Sequence, residues 1–193
     1  MKKFRIVVLV MLLFQGTLCA QNKYEREFRI RKTQFPEKAI GFIEDRLNDA
    51  RKIRFYKETD SAKVSYEAKF KKDRLRYSIE FDQDGKLEDI EILIKEVDIP
   101  EDSFKNITLY LQKEFKKYRI RRMQQQYPLV DNNTEKTLEN AFQNIILPSI
   151  NYEFIVAGKK DKKYEQYEVL FNASGNFIKL RKSLPPNYDH VLY

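Results

Sequence analysis

The sequence predicts an α+β fold: two tandem helix-plus-antiparallel-sheet repeats forming one curved sheet with helices on one face, and an extra helix inserted in the second repeat. Three observations carry this expectation. Ile90, Ile92 and Ile94 alternate with Asp89, Glu91 and Lys95, and period two with β-branched residues on one side marks a half-buried strand. Phe35-Pro36-Glu37-Lys38 and Ile99-Pro100-Glu101-Asp102 each place a proline where a first helical turn tolerates it, with acid behind it at the helix N-terminus. The third is an ordered set of self-matches. At the 64-residue spacing of those prolines, Ile40, Ile43 and Leu47 fall on Phe104, Ile107 and Leu111. Further on, Ser65-Tyr66-Glu67 recurs as Asn151-Tyr152-Glu153 and Tyr77-to-Gly85 recurs as Tyr167-to-Gly175, at spacings of 86 and 90. Such ordered recurrence marks a duplication with one large insertion.

In chain order, residues 1–20 form a signal peptide: Lys2, Lys3 and Arg5 precede the apolar run from Ile6 to Phe14, and Leu18-Cys19-Ala20 offers a cleavage point before Gln21. The apolar run is too short to span a bilayer comfortably, so the mature chain is not membrane-spanning. Cleavage removes Cys19, the only cysteine, and with it disulfide, thiol and cysteine-metal chemistry. It also takes the net charge from +8 to +5 through loss of Lys2, Lys3 and Arg5.

The first repeat, 21–96, opens with a charged edge-like strand at 24–31. A short helix follows from Pro36 to about Leu47, with Ala39, Ile40, Ile43 and Leu47 on one stripe. Four strands near 52–57, 64–70, 74–81 and 87–96 then make an antiparallel meander, since short loops join them. Ile53, Phe55, Tyr66, Phe70, Tyr77, Ile79 and Phe81 face inward. The second repeat, 97–184, starts with a helix from Pro100 to about Phe115 and a basic strand near 118–127. In its insertion, 129–148, Leu138, Ala141, Phe142, Ile145 and Ile146 keep helical spacing behind several N-cap candidates at 131–134. Strands near 152–156, 164–171 and 177–183 follow, then a tail at 185–193.

A helix opened by Phe35-Pro36, the strand Tyr66-Glu67-Ala68-Lys69-Phe70 and the hairpin from Tyr77 to Lys86 resemble the PepSY-like proteins of the β-lactamase-inhibitory-protein-like superfamily, common as secreted proteins of Bacteroidetes-type bacteria. The resemblance implies two repeats joined side by side into one curved sheet. The inhibitor relative binds its target enzyme across the open sheet face. The insertion and the absence of tryptophan depart from the family's pattern.

No catalytic constellation stands out. The lone histidine, His190, sits in the tail, and no glycine-rich phosphate loop exists. Asp82-Gln83-Asp84-Gly85 opens like a calcium loop, yet the twelfth position, which needs a bidentate Glu, is Leu93. The matching Asn172-Ala173-Ser174-Gly175 keeps the glycine and loses the acids, so the turn is read as structural, with no metal and no cofactor. Basic clusters at 113–122 and 159–163 suit phosphates, but export argues against nucleic acid and for polyanionic glycans, lipid headgroups or an acidic protein. Asp60-Ser61-Ala62 resembles an O-glycosylation signal of Bacteroidetes secreted proteins.

Strand alternation selects the helix-free face. In the first repeat Arg54, Tyr56, Glu67, Lys69, Arg76, Ser78 and Glu80 point away from the core. Of the whole face, Arg54, Tyr56, Lys69, Arg76, Leu93, Arg119, Arg121, Met123, Ile155, Leu170 and Arg181 are the candidate partner-binding residues, a mixture of types enriched at interfaces. The expected function is that of an exported, non-catalytic binding or inhibitory module, a monomer located in the periplasm, outside the cell or in the envelope, that docks an acidic protein or peptide. The alternatives are a PepSY-type regulator of an envelope protease or other envelope enzyme, and a small hydrolase using exposed carboxylates.

Overall fold

The computed structural model describes residues 22–23, 25–60 and 63–183. The expected signal peptide, the 185–193 tail with His190, and Ser61-Ala62 of the glycosylation motif lie outside them.

Among the described residues ten strands form one sheet: β1 (Asn22–Lys23), β2 (Glu25–Ile30), β3 (Arg51–Asp60), β4 (Lys63–Lys72), β5 (Leu75–Asp82), β6 (Leu87–Leu93), β7 (Lys117–Pro128), β8 (Asn151–Lys159), β9 (Tyr164–Asn172) and β10 (Phe177–Ser183). Their spatial order is β1-β10-β9-β8-β7-β6-β5-β4-β3-β2, so β2 to β10 run as a continuous antiparallel series. Among the described residues three α-helices pack on one face: α1 (Glu37–Ile43), α2 (Glu101–Glu114) and α3 (Thr134–Phe142). Ala39, Ile43, Ile107, Leu111, Leu138 and Ala141 bury against sheet residues such as Ile79, Phe81, Ile90, Phe154 and Phe171.

A helix followed by four strands occurs twice, and each helix stands on a hairpin turn. Pro36 and Pro100 are the N-cap residues of α1 and α2. Beneath α1, the Asp82 carboxylate accepts from the backbone N–H of Asp84 and Lys86 at 2.9 Å each. Beneath α2, the Asn172 amide oxygen accepts from Ser174 and Asn176 in the same way. An aspartate and an asparagine thus do one job, which is why the acid is dispensable in the second turn. Gly85 and Gly175 close these turns at φ +71° and +77°. A Cβ on Gly85 would meet Ala39 N at 3.0 Å, and one on Gly175 would meet Ser103 O at 2.1 Å. Ala39 and Ser103 are the positions that the spacing of the two prolines pairs.

The inserted helix is shorter than its apolar spacing suggests. The Asn133 side chain caps it, accepting from Lys136 N at 3.0 Å, but Asn144 adopts φ 50° and stops it after Phe142. Ile145 and Ile146 therefore lie beyond the helix, and Ile146 is half exposed. α3 packs on β6 and β7, across the junction of the repeats, and reaches into the first one. The Phe142 ring stacks on Tyr77 at 4.8 Å and on Phe70 at 6.1 Å. Arg46 lies over that ring and pairs with Glu135 at 2.7 Å. α1 has seven residues and passes into a single 3-10 turn at Asp45–Leu47, and the Phe142 ring adds cover over Phe70 and Tyr77.

The sheet is curled. Lys23 lies beside Ser183, the last residue of β10, and Glu25 lies beside Asp60, the last residue of β3. Lys23 and Glu25 are two residues apart and so at most roughly 7 Å from each other, which brings the β3 and β10 margins together. The helix-free face is the inside of this curl.

A concave polar face as candidate functional site

The inside of the curl is carpeted with carboxylates. Glu58, Glu67, Glu91, Glu153 and Glu168 are each less than a tenth exposed, although no helix covers this side. Curvature buries them. Charges held in this way need partners, and the face supplies several. Lys69 Nζ lies 2.6 Å from Glu67 and 3.1 Å from Glu27, and 4.8 Å over the Tyr56 ring. Burial alone would lower the pKa of this ammonium, but the Glu67 and Glu27 charges outweigh it and hold the pKa well above its ordinary value. Ser78 donates to Glu67, Gln124 to Glu91, and Arg181 to Glu168. Glu27, Glu58 and Glu67 bring oxygens within 4.8 Å of one another. Lys69 is the cation bound to that cluster.

Glu91 is a carboxylate of this face with a neutral partner at hydrogen-bond distance, the Gln124 amide. It lies on β6, between the two repeats. Burial pushes its pKa well above the ordinary carboxylate range, and Glu153, Asp89, Glu80 and Glu67 push in the same direction.

At the end of the curl where the β4–β5 hairpin lies, a cavity of about 420 Å³ opens. Glu67, Ser78, Glu91 and Gln124 belong to its lining, as do Lys52, Arg54, Tyr56, Lys69, Lys71, Arg76, Leu93 and Arg122. The cations here sit in an unfavourable arrangement. Arg51 faces Lys71, Lys71 faces Arg76, and Arg54 faces Lys69 across neighbouring strands. Like charges directly opposite each other destabilise a sheet. Arg76, the largest influence, holds the pKa of Lys71 below its ordinary value.

Of the candidates from the sequence, Arg54, Tyr56, Lys69, Arg76 and Leu93 line this cavity together. Ile155 faces Glu168 and Arg122, Leu170 faces Glu153 and Lys179, and Arg181 is tied to Glu168; these extend the face over β8–β10. Arg119 is exposed opposite Ala157. Two candidates are displaced. The β7–β8 register shifts between Ile120 and Arg122, leaving Arg121 as the extra residue and reversing the alternation. Met123 consequently sits opposite the core residue Phe154 and packs against the core, while Arg122 and Gln124 take the concave face. A matching shift between Arg51 and Arg54 in β3, with Lys52 at φ 58°, leaves Ile53 37% exposed instead of inward. Alternation through an unrecognised bulge names the wrong neighbours, so it does not place Lys52, Arg122 and Gln124 on this face.

No family model and no curated protein matches the chain. Solved structures do. A DUF2874-family protein of Bacteroides uniformis is 12% identical at a TM-score of 0.50, over 77% of this chain and 89% of that one. A protein assigned to the periplasm of Bacteroides eggerthii is 14% identical at 0.52, over 76% and 88%. A second DUF2874-family protein, from Bacteroides ovatus, is 9% identical at 0.50, over 76% and 86%. At these identities the likeness is one of fold. Among the described residues no helix is long and apolar enough to cross a membrane.

Proposed function

We propose that this chain is an exported, non-catalytic, monomeric binding module whose concave face receives an acidic segment of a protein or peptide in the envelope or outside the cell. The observation that carries the reading is the row Arg51–Lys71–Arg76 with Arg54 opposite Lys69, of which Lys71, Arg76, Arg54 and Lys69 line the cavity. Folding gains nothing from stacking like charges, whereas a carboxylate-bearing ligand converts their repulsion into attraction. Export is supported by the n-region and apolar run of the N-terminus and by fold likeness to a protein assigned to the periplasm. The recurring helix-plus-meander and its glycine turns support a PepSY-like, β-lactamase-inhibitory-protein-like classification.

The test is fluorescence anisotropy of the mature chain with a labelled oligoglutamate peptide, compared with its glutamine counterpart. Lys71→Glu combined with Arg76→Glu should weaken binding of the acidic peptide at least ~30-fold, the scale of a hot spot worth ~2 kcal/mol. Equal binding of the acidic and neutral peptides, or no loss in the double variant, refutes the proposal.

A further inference from the structure

The meander carries two basic runs that are apart in sequence to one place. Segments 113–122 and 157–165 hold ten lysines and arginines against three carboxylates. The end of α2, the start of β7 and the β8–β9 hairpin meet there: Lys117 pairs with Lys159, and Lys116 N donates to Lys159 O at 2.9 Å. Within the hairpin, Lys160 has a structural role. It pairs with Glu114 and lies over the Phe115 and Tyr167 rings. Lys113, Lys116, Lys117, Lys162 and Lys163 are exposed. Lys117 and Lys159 oppose each other directly, at a cost to the sheet. Beside them Tyr164, the register partner of Lys159, is 57% exposed.

We propose that this end of the molecule docks on the surface of an anionic lipid bilayer, a second contact independent of the concave cavity. Three features favour a bilayer over a discrete phosphate ligand. The cations are mostly lysines, flexible point charges suited to a diffuse anionic surface and lacking the bidentate fork of arginine. They project, exposed, from a helix end and a hairpin, and so spread charge over a surface. Their exposed neighbour is a tyrosine, which partitions to the headgroup level of membranes. The mature chain is exported on the reading above, and that places it against membrane surfaces and away from nucleic acid.

The experiment is co-sedimentation of the mature chain with vesicles of phosphatidylglycerol and phosphatidylcholine in equal parts, against vesicles of phosphatidylcholine alone. The wild type should bind the anionic vesicles only, and less tightly as salt rises. Each basic residue near such a surface is worth about a fivefold change in affinity, so joint Lys116→Gln, Lys117→Gln, Lys162→Gln and Lys163→Gln should weaken binding by roughly two orders of magnitude or more. That variant should keep its melting temperature and its oligoglutamate affinity. This separates failure here from failure of the cavity proposal. Equal binding to neutral vesicles, undiminished binding by the quadruple variant, or tighter binding to duplex DNA or heparin than to anionic vesicles overturns the inference. If the quadruple variant fails to fold, the salt and lipid dependence of the wild type decides.

Discussion

In the first repeat the helix on the sheet has seven residues; in the second it has fourteen. Both begin at a proline and rest on a glycine turn, so their starts are equivalent and only their ends differ. The long helix covers its own strands, with Ile107 and Leu111 fully buried. In the first repeat α3 reaches across from the second repeat and stacks Phe142 on Phe70 and Tyr77. The asymmetry makes the repeats interdependent. An insertion that looks like an ornament of repeat two is a structural part of repeat one.

The equivalent turns give the sharpest test of that comparison. At Gly175 a methyl group would lie 2.1 Å from the Ser103 carbonyl oxygen, an atom of helix backbone, in a left-handed conformation. Relief requires α2 to move, so Gly175→Ala should cost on the order of 3–5 kcal/mol, combining left-handed strain with overpacking. At Gly85 the nearest atoms are 3.0 Å away, so Gly85→Ala should cost about 1–2 kcal/mol, mainly backbone strain. Urea denaturation of both variants checks the order; equal losses would mean that the two turns support their helices alike.

Phe142→Ala comes next. The ring is partly buried and stacked on two aromatic residues of the first repeat, so its removal should cost roughly 2–3 kcal/mol, below the full range for a core phenylalanine. Hydrogen exchange locates the damage. Amides of β4 and β5 should lose more protection than those of β8 and β9. If the second repeat loses more, α3 serves its own repeat and the interdependence argument fails.

Most of this architecture was legible in the residues. Alternation marked the meander, Pro36 and Pro100 marked the helix starts, and the glycine turns survived substitution of their acids because only backbone geometry required them. The remainder was hidden for physical reasons. The shifts in β3 and β7 reverse a face by one residue, and here no glycine announces them; Met123 and Arg122 exchange roles on that account. Burial of Glu58, Glu67 and Glu168 follows from the curl of the whole sheet. The curl depends on β1 pairing with β10 in parallel across nearly the full chain, and no local pattern encodes that. Gathering of the basic runs at one end likewise needs the strand register.

The smallest expected effect concerns the seam between the repeats and has the opposite sign. Within the first repeat Glu67 is neutralised by Lys69, and within the second Glu168 is neutralised by Arg181. Glu91, between them, has the Gln124 amide and four acidic neighbours. Its pKa is higher in the folded chain than in the unfolded one, so between those two values the native state binds more protons and its stability falls as pH rises. Its contribution is fully present below the unfolded value near 4.5 and is lost above the raised native one. Glu91→Gln keeps the shape and removes the titration. The substitution should raise the melting temperature at pH 7.5 and flatten the decline of stability between pH 5 and pH 7.5. The matched Glu168→Gln, which removes the charge that Arg181 pairs with, should instead lower the melting temperature at pH 7.5. Melting curves of the two variants across this range provide the measurement. A lower melting temperature for Glu91→Gln at pH 7.5 would show that the seam carboxylate is compensated as fully as those within each repeat.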